Sequence, residues 1–284
     1  MEMAAASATV IARLPEELLS AAISLTSPRD ACRAATVSPA FRDAANSDAV
    51  WSYFLPRERD LPPLAEGELD PAPPSKKALF MRLSNSDVPV LLADGRVSMW
   101  LDRESGAKCY MLSARALCII WGDTPRYWRW IPLNDSSRFA EAAELRQVWW
   151  LEIRGKMHSQ MLSQNTKYAA YMVFKMNEYH YGLDSPLQEA VVLIGENKSI
   201  RKACLPGYDT EDVQEMPEND RTWVQPRMRP VRIFRRRNRR VPPPEADVQL
   251  PQKRADGWME LELGEFFIEG ADDGEVSISL TETS

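Results

Sequence analysis

The chain has 284 residues, of which 44% are hydrophobic and 27% charged, and this excludes a wholly disordered or collagen-like polypeptide. Its length suits two modest domains or one large one. The formal charge of −6 conceals an asymmetry: eight arginines fall between Arg227 and Arg240 with no acid among them, so the rest is more acidic still. An overall basic, nucleic-acid-coating protein is excluded on this balance.

The first sixty residues read as short helices. Leu14, Leu18, Leu19, Ala22 and Ile23 recur at three- and four-residue steps after Pro15, which suits a first helical turn. Ser27-Pro28 and Ser38-Pro39 each place a capping hydroxyl before a proline, and Asp48 precedes Ala49, Val50, Trp51 and Phe54. About forty-five residues bury little surface alone, so this unit is expected to need a partner or a neighbouring domain. Pro56, Pro62, Pro63, Pro71, Pro73 and Pro74 then predict an extended linker with few internal hydrogen bonds, closed by a brief helix over 76–83.

Beyond residue 88 the period changes to two. Segments 90–92 and 97–101 flank Asp94-Gly95 as a hairpin, followed by strand candidates at 108–111 and 117–121. Further candidates lie around Trp128 and Trp130, around Trp149, Leu151 and Ile153, and over 168–176, 191–194, 258–263 and 276–280. Residues 139–145 read as a helical turn. Trp130, Trp149, Trp150 and Trp258 are assigned to core or inter-sheet packing. Because Trp149 and Trp150 are adjacent, a strand would point them to opposite faces. The expected architecture is multidomain: a small all-α module, then an antiparallel β-sandwich of roughly eight strands. Residues 207–253, rich in Pro, Gly, acids and arginine, read as a flexible insertion.

Enzyme signatures are missing from the pattern. There is no GxSxG, HExxH or glycine-rich phosphate loop, and His158 has no positioned nucleophile beside it. Cys32, Cys109, Cys118 and Cys204 form no CxxC pair, and with His158 and His180 they offer no zinc spacing, so neither metal nor cofactor is expected. With no long apolar run and no leader-like start, the chain reads as soluble, intracellular and reduced, cytoplasmic and/or nuclear, with no membrane partner. The arginine run reads as a solvated loop offset by the acidic stretch 209–220, or as a nuclear import signal. With only Phe234 interleaved it lacks the aromatic platform that RNA recognition needs. The leucines of LPEELL either dock on another protein or form the module's own core, and pattern alone leaves both open.

The run LPEELLSAAISLTSPRDACRAATVSPAFRDAANSDAVWSYFLP resembles an F-box, of the variety found in plant proteins that also carry a phloem protein 2 domain. SGAKCYMLSARAL, WGDTPRYWRW, RFAEAAELRQVWWLEIRGK, TKYAAYMVFK, RADGWMELELGEFF and DGEVSISL resemble that second domain, shared with the jasmonate-inducible tobacco lectin. The resemblance implies an F-box over 10–56, a proline-rich linker with a short helix over 57–87, and a lectin-like sandwich over 88–284. It also implies one more strand after Glu282, so the sandwich is expected to be a strand short with an exposed edge. The implied function is that of a substrate-recognition subunit, itself non-catalytic, of a Skp1–cullin–F-box ubiquitin ligase. Leu14, Pro15, Leu18 and Ile23 would dock the Skp1-like adaptor and through it the cullin–RING ligase, with Trp51 packing internally. The sandwich would take a protein or glycoprotein client. Trp121, Trp128, Glu275 and Glu282 match the lectin's residues for chito-oligosaccharide or N-glycan core. The alternative is a carbohydrate-binding lectin without a degradative role.

Overall fold

The computed structural model describes residues 14–133, 138–177, 183, 186–206, 248–270 and 274–282. The arginine run, and the insertion expected over 207–253 as far as residue 247, lie outside the described residues.

Among the described residues four short helices come first: α1 (Glu16–Ser24), α2 (Pro28–Ala34), α3 (Pro39–Asn46) and α4 (Asp48–Phe54). Their starts follow from local chemistry. Ser27 and Ser38 accept the N–H of Asp30 and Phe41 with proline in the first turn, and Ser47 accepts that of Ala49. Ser75 caps α5 (Lys76–Leu83) in the same way, through Ala78 N–H.

The core these helices enclose does not stop at residue 56. Leu19, Ile23, Ala31, Val50, Trp51 and Phe54 share one buried cluster with Phe80 and Leu83 of α5. The cluster continues into β1 (Val90–Leu91) and β2 (Val97–Leu101), through Val90, Met99 and Leu101. Gly106 closes the approach: its positive φ of 77° serves the turn before β3 (Lys108–Leu112), and an added Cβ would lie 3.1 Å from the Phe54 carbonyl. The proline-rich segment is packed as well. Ala65 N–H donates to Leu91 O and Ala93 N–H to Pro63 O, while Leu61, Leu64 and Leu69 lie against the cluster. Prolines forbid a ladder but not burial of the leucines between them, which is why an extended linker is the wrong picture.

The remaining strands are β4 (Cys118–Ile119), β5 (Trp128–Pro132), β6 (Glu141–Leu145), β7 (Glu152–His158), β8 (Thr166–Phe174), β9 (Gln188–Ile194), β10 (Asn197–Ala203), β11 (Val248–Gln249), β12 (Gln252–Lys253), β13 (Met259–Ile268) and β14 (Glu275–Glu282). Six form one sheet in the order β11-β10-β9-β14-β7-β4, and β12-β13-β8 form a second. Pairing is antiparallel apart from the short β10–β11 contact. Ala190, Val192, Ile194, Val276 and Leu280 of the first sheet share a core with Leu261, Leu263 and Ile268 of the second. A bulge at Leu263 shifts the register of β13 between Glu262 and Gly264, so Leu261 and Leu263 and then Ile268 can all be buried.

Three further expectations are corrected. Residues 139–145 are not a helical turn: 141–145 form β6, because pairing with β5 overrides the helix propensity of EAAEL. β14 is hydrogen-bonded to β7 on one side and β9 on the other, so the last described strand is central and leaves no open edge there. Residues 248–249 and 252–253, placed within the insertion, are strand residues.

Candidate functional site

Helix α1 divides its apolar residues cleanly. Leu19 and Ile23 point inward, Ile23 being 5% exposed, whereas Leu14 and Pro15 are exposed and Leu18 is 56% exposed. Ile23 is therefore core and not a docking residue. Leu25, the residue that ends the helix, lies seven after Leu18 and is also exposed, so the two share one face, and with exposed Leu14 just ahead of the helix they make a run of solvent-facing leucines, the leucine stripe. The spacing that joins Leu25 to this stripe is visible in the sequence. Trp51 is fully buried, its Nε1 donating to Ala45 O at 2.7 Å.

In the sandwich the four lectin-like positions are not brought together. Glu275 and Glu282 stand at opposite ends of β14, roughly 23 Å apart at strand rise, and their odd separation turns them to opposite faces. Glu275 is exposed and pairs with Lys156 at 2.7 Å. Trp128 is 4% exposed within the sandwich core, and its Nε1 donates to Ile120 O at 3.1 Å. It offers no free face. Trp130 is half-buried, donates to Gly122 O, and carries the Arg115 guanidinium 3.5 Å above its ring.

Trp121 and Glu282 do fall at one end of the six-stranded sheet. Trp121 occupies the left-handed region with φ 58°, unusual for a bulky residue. Its ring packs 5.1 Å from Tyr127 and 4.3 Å from Trp150. The segment carrying Trp150 lies between the two positions: Ile120 N–H donates to Glu152 O, and Glu282 N–H to Leu151 O. The Glu282 carboxylate accepts Leu151 N–H at 3.1 Å. Trp149 and Trp150, assigned to packing from sequence, occupy a bend before β7 and are 77% and 46% exposed. A bend frees them from strand alternation, so neither needs to enter the core.

Among the described residues no cluster of His, Cys, Asp and Glu could hold a metal ion, and the cysteines are free thiols.

A helical module with an exposed leucine stripe, joined to a two-layer antiparallel sandwich, defines an F-box protein with a lectin-like second domain. Residues 11–57 match the F-box-like family model and residues 107–284 that of phloem protein 2. The chain belongs to the plant family of F-box proteins with a phloem protein 2 domain. It is 41% identical over 274 residues to F-box protein PP2-B10 of Arabidopsis thaliana, covering 95% of this chain and 86% of that one. F-box proteins PP2-B1 and PP2-B15 of the same plant are 40% and 38% identical, over 95% of this chain and 83% and 89% of theirs.

Proposed function

We propose that the chain is the substrate-recognition subunit of a Skp1–cullin–F-box ubiquitin ligase. The observation that carries this reading is the leucine stripe of α1: a small module with a satisfied core nevertheless keeps Leu14, Leu18 and Leu25 in solvent. An adaptor helix or groove laid on that stripe would bury it. The chain itself would make and break no bond; it would raise the local concentration of a client beside the ligase. The test is co-purification with a Skp1-like adaptor. Leu14→Glu with Leu18→Glu should abolish capture while leaving the unfolding transition in place, since both side chains are already exposed. Retained capture by a folded double variant overturns the docking assignment.

For the sandwich we infer recognition of a sugar on a glycoprotein client. The specific support is the Trp121–Trp150 ring pair with the Glu282 carboxylate nearby. Pyranoses present an apolar C–H face to an aromatic ring and hydroxyls to carboxylates. A glycan array probed with folded full-length protein tests this; no binding leaves a peptide client as the surviving reading.

A further inference from the structure

We propose that Trp150, and not Trp128, supplies the second aromatic wall of the sugar-binding surface, with Trp149 extending it outward. This rests on the sugar reading of the sandwich and assigns its contact residues.

The tryptophans near Trp121 divide by what their rings are already doing. Trp128 is enclosed in the core with its N–H satisfied. Trp130 has one face under Arg115 and its N–H on Gly122 O. Trp150 instead touches Trp121 at 4.3 Å, with planes inclined at 60°, and keeps 46% of its surface exposed. Two indoles at that inclination form a corner with part of Trp150 open to solvent. Trp149 follows at the rim and is 77% exposed.

The backbone around this corner is built to hold it. Trp121 adopts a left-handed conformation that is unfavourable for a non-glycine residue, and such strain persists where surrounding structure enforces it. The enforcing contacts are visible. Ile120 N–H is tied to Glu152 O at 3.0 Å, Thr124 N–H to Trp121 O at 2.8 Å, and Gly122 N–H to Ile119 O at 2.9 Å.

Two carboxylates are bonded to the segment that carries Trp150. Trp150 Nε1 reaches Glu152 Oε2 at 3.4 Å, a long contact that a better acceptor could replace. Arg154 pairs with Glu152 and orients that carboxylate. One residue along the chain from Trp150, Leu151 N–H is held by the Glu282 carboxylate. A purely hydrophobic partner would desolvate these carboxylates further and leave their remaining lone pairs without hydrogen bonds, at a cost. A pyranose ring would stack its C–H face on the indole and give its hydroxyls to the carboxylates.

The probe is a β-linked N-acetylglucosamine trimer, titrated calorimetrically into the full chain. Trp121→Ala and Trp150→Ala should each weaken binding at least about tenfold, as for aromatic anchors of an interface. Trp150→Phe should recover part of that loss, because stacking survives without the indole N–H. Trp149→Ala should cost less, and Trp128→Phe should lower the unfolding midpoint while affinity persists. Trp150→Ala is exposed enough to fold, which circular dichroism checks. If Trp121→Ala loses binding and folded Trp150→Ala does not, the assignment of Trp150 is wrong and the sugar reading stands. If wild type binds neither the trimer nor any arrayed glycan, the sugar reading and this assignment fall together.

Discussion

Trp51 of the F-box packs on Phe80 of α5, with ring centroids 5.1 Å apart and planes inclined at 53°. The contact joins a residue inside the F-box match to one in the stretch 58–106, which neither family model covers. It is one of several: Lys76 N–H donates to the Asp48 carboxylate at 2.8 Å, Lys77 Nζ to Asn46 at 2.6 Å, and Arg29 pairs with Glu104. The helical module thus borrows its missing core from the chain that follows it. This answers the problem of a forty-five-residue unit too small to bury enough surface.

Phe80→Ala should accordingly destabilise the F-box, not only the segment that bears it. Emptying a fully buried phenylalanine site costs about 3–5 kcal/mol. Chemical denaturation of the full chain should show that loss. Far-UV circular dichroism should move with it, and adaptor capture should fall although no α1 residue has changed. Unaltered stability with normal capture would mean that the F-box core closes without α5.

Gly264 sets the distance between the two sheets. A Cβ there would lie 2.9 Å from Val192 Cγ2, closer than packed atoms tolerate. Gly264→Ala should therefore cost about 1–3 kcal/mol by overpacking, with backbone strain from its φ of 155° added to that. Val192→Ala in the same chain should return part of it, giving a coupling of at least about 0.5 kcal/mol. Additive effects in the double-mutant cycle would show that the cost comes from the backbone at Gly264 and not from its contact with Val192.

What the sequence disclosed depended on whether the signal was local. Ser-Pro caps and the short apolar spacing over 76–83 are written within a few residues, and the structure has those helices where the pattern predicts. β10 escaped notice because NKSIRKA is polar, with one edge of alternation exposed. β6 escaped because its strand state comes from its partner β5. In the candidate site the same limit applies. Alternation put Trp128 and Trp130 on one face but could not say that this face turns inward. A bend at Trp149-Trp150 removes the pair from any period at all. The leucine stripe was half legible: spacing grouped Leu14, Leu18 and Ile23, and only packing separated Ile23 from the others.

Cys109 should be the slow member of the two partly accessible or exposed environments on β3 and β4. Burial first, and then the Asp102 carboxylate, push its thiol up from 9.0 to about 11. Cys32 and Cys118 are exposed, so a thiol reagent at pH 8 should label those two first in folded protein. Burial also raises Tyr110 and Tyr168, which hold their hydroxyl protons in bonds to Met161 O and Lys108 O. The linkage sign follows: a raised Cys109 value makes the unfolded chain release its proton first. Its contribution is complete below about pH 9 and is lost as pH rises toward 11. Lys108, lowered mainly by burial, acts in the opposite sense. Cys109→Ala should flatten the alkaline fall of the unfolding midpoint; an unchanged profile would assign that fall to the tyrosines alone.

Glu68 ties the proline-rich segment to both neighbours. Its carboxylate, 11% exposed, meets Arg82 of α5 at 3.2 Å and the guanidinium of Arg138, ahead of β6. Glu68→Ala leaves two part-buried guanidiniums without their shared anion, one of them with a buried Nε that already lacks a partner. Breaking a fully buried pair costs about 3–5 kcal/mol, and exposure of the arginines lowers the expectation here to about 1–3 kcal/mol. Removing all three charges is a different experiment. Glu68→Leu with Arg82→Met and Arg138→Met should recover much of the loss, because the desolvation penalty disappears with the ions. Adaptor capture should survive in both variants, since the leucine stripe is untouched. Denaturant midpoints for the single and triple variants decide the matter. A triple variant less stable than Glu68→Ala would mean that the ion cluster itself, and not the relief of buried charge, holds the segment down.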